Sequence, residues 1–217
     1  MNGRQFQQRA LHVSIEGLPS SGKTRILQIL AENSPLVRTI TDALPIGENV
    51  AGSNLVEQYR NGEAGAAFQL INLHIANFAK RANSSVSRIQ IEENSLIGIY
   101  KTLVRCCSDS GNLINSEKVI LENTYSIISG NLIPPPNIFI YVKTPPEIVL
   151  QRLITNQKAG NVNETIQWIT KLHYCYEEWL QLRGSYDAPT FEIDGTLNEE
   201  ELRREVDSIM ERIQQYL

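Results

Sequence analysis

Gly17-Leu18-Pro19-Ser20-Ser21-Gly22-Lys23-Thr24 matches G-x-x-x-x-G-K-[ST], and this run constrains the chain more than any other stretch. Leu11 to Glu16, rich in Val and Ile, reads as a strand entering it. Ile26, Leu27, Ile29 and Leu30 leave it at helical spacing. The order strand, glycine loop, helix is what the chemistry needs. Gly17 and Gly22 put no Cβ between backbone and anion, so successive N–H groups of Leu18, Pro19's neighbours, Ser20 and Ser21 turn towards phosphate. The positive end of the following helix adds to that field. Lys23 is expected to reach the β- and γ-phosphates and the Thr24 hydroxyl to coordinate Mg²⁺. The stretch reads as a nucleoside-triphosphate site.

The 217 residues suit a single α/β domain over 1–217 with a full core. A net charge of −4 argues against nucleic acid as the main partner, so positive charge should gather at the phosphate loop. No apolar stretch suits a bilayer span, and the polar start (Asn2, Gly3, Arg4, Gln5) is unlike a signal peptide, so no membrane partner is expected. Cys106, Cys107 and Cys175 lack C-x-x-C spacing and read as reduced thiols, which fits a cytoplasmic or similarly reducing compartment.

Further along, residues 36–41 read as a second buried strand and 54–59 as a short helix. Residues 64–81 read as a long helix with Ala67, Leu70, Ile71, Leu73, His74 and Phe78 inward. Residues 88–93 form a third predicted strand and 96–107 and 116–130 two helices, closed by Pro134-Pro135-Pro136. Residues 137–143 are apolar enough for a strand buried on both faces. Helices over 146–157 and 165–182, a strand over 190–194 and a closing helix over 197–217 complete the pattern. Strands alternating with helices imply a five-stranded parallel sheet, with ligands beyond the carboxyl ends of its strands. Gly17, Asp42, Glu93-Asn94 and Asp194-Gly195 stand at those ends. A single acid there would more commonly cap a helix. Several converging on a phosphate loop favour a site.

At this point the chain resembles the deoxynucleoside kinases of the thymidine kinase 2, deoxycytidine kinase and insect multisubstrate type. The resemblance is carried by Ile15-Glu16-Gly17 with its loop, Gly52-Ser53-Asn54-Leu55, Phe68-Gln69, Tyr141 to Glu147, and Leu172 to Leu180. It implies a P-loop kinase using ATP and Mg²⁺ on a deoxynucleoside. It also implies a homodimer paired through the helices after the first and third strands. Asp42 takes the place of the family's general base for the 5′-hydroxyl, where a longer Glu is usual. Gln69 takes that of the base-pairing amide, and Tyr59 with Glu177 that of the pair on the 3′-hydroxyl. Glu93 is implied to help hold Mg²⁺ with Thr24. Ala76 and Ile99 replace an Arg–Asp pair that reads exocyclic amines, which favours thymidine or a broad pyrimidine range.

Three departures stand out. Asn94 replaces an Arg, the segment after the fourth-strand helix keeps only Arg152 and Lys158 as cations, and Gly47 stands where a Trp is usual. A transition-state cation can contribute on the order of 10³-fold to phosphoryl transfer. Slow catalysis, a cation supplied by Arg88 or Arg183, or a different substrate would each follow. Two other readings stay open: a nucleoside-monophosphate kinase of the same fold, and a catalytically weakened nucleotide-binding or structural relative.

Overall fold

The computed structural model describes residues 10–33, 37–41, 55–81, 88–156, 162–182 and 188–217. Five strands, β1 (Leu11–Gly17), β2 (Val37–Ile40), β3 (Ile89–Glu93), β4 (Ile138–Lys143) and β5 (Thr190–Asp194), form one all-parallel sheet in the order β2-β3-β1-β4-β5. β1 is the centre. It pairs with β3 from Leu11↔Ile89 to Ile15↔Glu93 and with β4 from Val13↔Ile138 to Gly17↔Val142. The registers bring Gly17, Glu93 and Lys143 to the same edge of the sheet, where a parallel α/β sheet presents its ligands.

Alternation along the strands separates two faces. Val13, Ile15, Ile89, Ile91, Ile138, Ile140 and Val142 pack with Ile26, Leu27, Ile29 and Leu30 of α1 (Lys23–Asn33) and Val206, Ile209 and Ile213 of α9 (Glu199–Gln214). On the opposite face Phe139 and Tyr141 meet α7 (Pro146–Thr155), α8 (Val162–Tyr176) and a π-helical continuation of α8 (Glu177–Leu182) through Val149, Leu172, Tyr176 and Trp179. A third apolar cluster joins α2 (Leu55–Arg60), α3 (Ala66–Arg81), α4 (Leu96–Ile99), α5 (Arg105–Asp109) and α6 (Asn115–Asn131). Each fully buried Ile or Leu contributes about 1.5–3 kcal/mol.

The helix after β3 changes pitch at Tyr100–Val104, a π-helical turn between α4 and α5. The periodicity reads the same stretch as a uniform helix over 96–107, because most of its positions are buried and the one-residue shift of a π turn leaves no mark on such a pattern. β2 is half-buried at every position rather than buried, since it is the edge of the sheet and has β3 on one side only. In α3 Ala67, Leu70, Ile71 and Phe78 face inward as the spacing predicts, while the middle turn buries Ile75 and leaves Leu73 and His74 half-buried. α9 begins at Glu199, not Leu197, because Asn198 caps it by accepting from the N–H groups of Glu200 and Glu201. Cys106, Cys107 and Cys175 are buried and free of disulfides. No helix among the described residues is long and apolar enough to cross a membrane.

Candidate active site

The loop between β1 and α1 is shaped by three residues at positive φ, Gly17 (148°), Ser20 (59°) and Gly22 (114°). Gly17 is required twice over. Besides its φ, a Cβ there would stand 2.6 Å from the Val142 carbonyl of the neighbouring strand. At Gly22 a Cβ would meet nothing within 4 Å, so the loop is open on that side, as a phosphate cradle must be. Lys23, only 5% exposed, turns back and donates to the carbonyls of Gly17 (2.9 Å) and Leu18 (2.8 Å). Its ammonium also stands 3.9 Å from Glu93 Oε1. Thr24 is exposed, and its hydroxyl donates to Glu93 Oε2 at 3.1 Å. The structure thus gathers Lys23, Thr24 and Glu93 at one point of the sheet edge.

These residues fit a magnesium-bound triphosphate. Mg²⁺ takes one or two protein oxygens and keeps several waters, so one hydroxyl and one carboxylate suffice. The open cradle beside Gly22 and the α1 N-terminus suit an anion.

Behind the loop, Arg152 on α7 donates from Nη1 to the carbonyls of Ser20 (3.2 Å) and Ser21 (3.0 Å), and from Nη2 to that of Gly195 (2.7 Å). Thr144 Oγ1 donates to the Ser21 carbonyl as well. Arg152 therefore braces the loop from beneath instead of facing its open side. Neither it nor Thr144 is recognisable as a brace in the sequence, since both reach Ser21 across more than a hundred positions.

The remaining expected residues make contacts of their own. Gln69 is exposed on α3, two turns before Ala76 on the same exposed stripe, whereas Ile99 is buried in the third apolar cluster. Tyr59 is 8% exposed, its ring edge-on to Trp168 and its Oη accepting from Cys107 Sγ at 3.4 Å. Burial pushes its pKa well up. Glu177 accepts from Tyr141 Oη (2.8 Å) and Lys143 Nζ (2.9 Å). Burial works against the Glu177 charge, but the bonds from Lys143 and Tyr141 outweigh it and hold the carboxyl below its ordinary range. Tyr59 and Glu177 thus engage different partners. Asn94 has φ 57°, and its N–H donates to the Ile15 carbonyl at 2.9 Å. Asparagine tolerates that left-handed conformation better than most residues, which gives a backbone reason for an amide at this turn. Asp42, Lys158 and Gly47 lie outside the described residues, as do Arg183 and Gly52-Ser53-Asn54.

The family model for deoxynucleoside kinases matches residues 13–217. The chain belongs to the deoxynucleoside kinase family. Human mitochondrial thymidine kinase 2 is 24% identical over 174 residues, covering 80% of this chain and 65% of that protein. Chicken deoxycytidine kinase 2 is 21% identical, covering 81% and 76%. A probable deoxycytidine kinase of fowlpox virus is 22% identical, covering 84% and 78%. The match thus spans a little under two thirds of the thymidine kinase relatives. Family membership accounts for the glycine loop and the all-parallel sheet around it.

Proposed function

We propose that the protein transfers the γ-phosphoryl group of ATP to the 5′-hydroxyl of a deoxynucleoside, with thymidine or a broad range of pyrimidines as substrate. The observation that carries this reading is the convergence of Lys23, Thr24 and Glu93 at the mouth of a braced phosphate loop, in a chain of this family. Bound Mg²⁺ would neutralise part of the phosphate charge. Lys23 would exchange its two loop carbonyls for phosphate oxygens, while Thr24 and Glu93 hold the metal. Asp42, two positions beyond the end of β2, would take the proton of the attacking hydroxyl as the oxygen–phosphorus bond forms and ADP departs. Gln69 would pair with the base, and Lys158 would approach the phosphates. Tyr59 and Glu177 would hold the 3′-hydroxyl, and the depressed Glu177 carboxyl is in the ionised state that accepts it.

Transfer of labelled phosphate from ATP to thymidine, deoxycytidine, deoxyadenosine and deoxyguanosine tests the reading. Transfer to thymidine or deoxycytidine, abolished in Asp42→Asn with ATP binding retained, is expected. Equal turnover in that variant removes Asp42 from the reaction. Transfer to none, with ATP still bound, supports the second reading, a nucleotide-binding relative without turnover. That reading is favoured by one observation: Arg152 is engaged with loop carbonyls, and Asn94 supplies no positive charge. The proposed assembly is a homodimer. Val119 (54% exposed), Ile120 (49%) and Ile127 (62%) on α6, which lies between α5 and β4 in the chain, offer it an apolar face. Sedimentation of the pure protein would show whether it pairs.

A further inference from the structure

A central parallel strand is covered on both faces and is expected to be apolar on both. β1 breaks that expectation. Ser14 and Glu16 share one face, opposite Val13 and Ile15, and both are fully buried at 0% exposure. Glu16 Oε1 accepts from Ser14 Oγ at 2.7 Å and from Ser95 Oγ at 2.5 Å. Its Oε2 has no hydrogen-bond partner and is shut in against Gly98, where an added Cβ would stand 2.6 Å from Oε1 and closer still to Oε2. A buried carboxyl with one oxygen unmet is costly, and nothing in hydrophobic packing requires it here.

What the arrangement achieves lies one bond further on. Ser95 Oγ accepts from the Gly98 N–H at 3.0 Å and so caps α4, while donating to Glu16. Asn94 N–H donates to the Ile15 carbonyl. The left-handed turn Glu93-Asn94-Ser95 is therefore pinned to β1 at two successive residues, Ile15 through backbone and Glu16 through side chain. The residue that opens this turn carries the carboxylate between Thr24 and Lys23.

We propose that Glu16 is a positioning residue for Glu93: by holding Ser95 it fixes the turn that aims the Glu93 carboxylate at Thr24 and Lys23. This rests on reading Lys23, Thr24 and Glu93 as a magnesium–triphosphate site. The role is geometric. Oε1 is the oxygen that does it, so glutamine, which keeps an acceptor there, preserves the tie, and alanine leaves the Ser95 hydroxyl without its acceptor. Ser14 is the other donor to that oxygen, and its hydroxyl ties Glu16 within β1 and not to the turn.

The test is binding of a fluorescent ATP analogue, with excess Mg²⁺ and separately with EDTA, to the full chain and to Glu16→Ala, Glu16→Gln, Ser95→Ala and Ser14→Ala. Partners of metal ligands usually govern metal affinity by about 10- to 100-fold. Glu16→Ala and Ser95→Ala are expected to lose about tenfold or more of the magnesium-dependent gain in affinity while binding in EDTA changes by less than about threefold. Glu16→Gln and Ser14→Ala are expected to keep that gain. An equal loss with and without magnesium would mean that the tie only supports the loop, and it overturns the proposal. So does a full magnesium gain in Ser95→Ala, or its loss in Glu16→Gln. If Glu16→Ala does not fold, Ser95→Ala and Glu16→Gln decide between them. A wild-type chain that shows these responses yet phosphorylates no nucleoside ends the kinase reading and leaves this one standing.

Discussion

Thr24 Oγ1 donates to Glu93 Oε2 at 3.1 Å, joining the first turn of α1 to the end of β3 across 69 positions of sequence. The opposite oxygen of the same carboxylate faces the Lys23 ammonium at 3.9 Å. One carboxylate thus faces both the hydroxyl proposed to hold a metal and the cation proposed to meet phosphate. Replacing its charge while keeping its shape separates the two duties. In Glu93→Gln, magnesium affinity in the presence of ATP should fall about 10- to 100-fold, since an amide oxygen is a weaker ligand than a carboxylate. Calorimetric titration of Mg²⁺ into the ATP-loaded protein measures this, and ATP binding in EDTA should stay level or improve.

Lys23→Met keeps most of the buried stem and removes the ammonium that now sits on the Gly17 and Leu18 carbonyls. Phosphoryl transfer should drop about 10³-fold or more, because stabilising the transferring group is most of what such a site does. Unfolding temperature should fall as well, because the Gly17 and Leu18 carbonyls it releases are buried and lose that donor.

Burial is the largest influence on Glu16 and raises its pKa from 4.5 to about 7, against the pull of Ser95, Ser14 and Lys23, with Glu92 adding to the rise. Glu92 is itself paired with His12 at 2.7 Å. Because the folded chain holds this proton more tightly than the unfolded chain, it binds more protons between pH 4.5 and 7, and stability falls as pH rises through that window. The full span is about 3 kcal/mol at roughly 1.36 kcal/mol per unit. Glu16→Gln should abolish that fall. Denaturant midpoints of wild type and variant, compared from pH 5 to 8, should therefore converge at the acid end and separate towards pH 8, with the variant ahead.

Gly98→Ala should destabilise by about 1–3 kcal/mol, since a helix position that normally favours alanine is here pressed against the Glu16 carboxylate. Thermal unfolding reads the loss. A variant as stable as wild type would show that the carboxylate has room to withdraw.

Asn94→Arg places a bulky side chain at φ 57° and should lower stability by about 1 kcal/mol. It also restores a cation to the strand end, so turnover should rise even as the unfolding temperature falls. Turnover that falls with stability would mean that the divergent turn cannot present a positive charge to the reacting phosphate.

Much of the scaffold could be read without coordinates, and the reasons are local. The loop glycines, Lys23 and Thr24 declare themselves because phosphate chemistry fixes their spacing. Residues 138–142 declare a doubly covered strand through unbroken apolarity, and all five are buried. What stayed hidden depends on partners far apart in sequence. Ser95 meets Glu16 across 79 positions, and Arg152 meets Ser20 across 132. The one visible hint is the alternation of His12, Ser14 and Glu16 with apolar residues along β1. The half-burial of β2 was equally hidden, because a strand's rank in the sheet is set by topology and not by its own residues. The resemblance runs through Glu177 and through Tyr141 to Glu147, but it gave Tyr141 and Lys143 no part in holding Glu177.

The guanidinium of Arg152 spans from the Ser20 and Ser21 carbonyls to that of Gly195, which directly follows β5. The nucleotide loop and the outermost strand on that flank therefore share a rivet. A disturbance of β5 or of the turn leading into α9 would travel to the phosphates without crossing the pocket, and tight nucleotide binding would in turn stiffen a border of the sheet that no ligand atom touches.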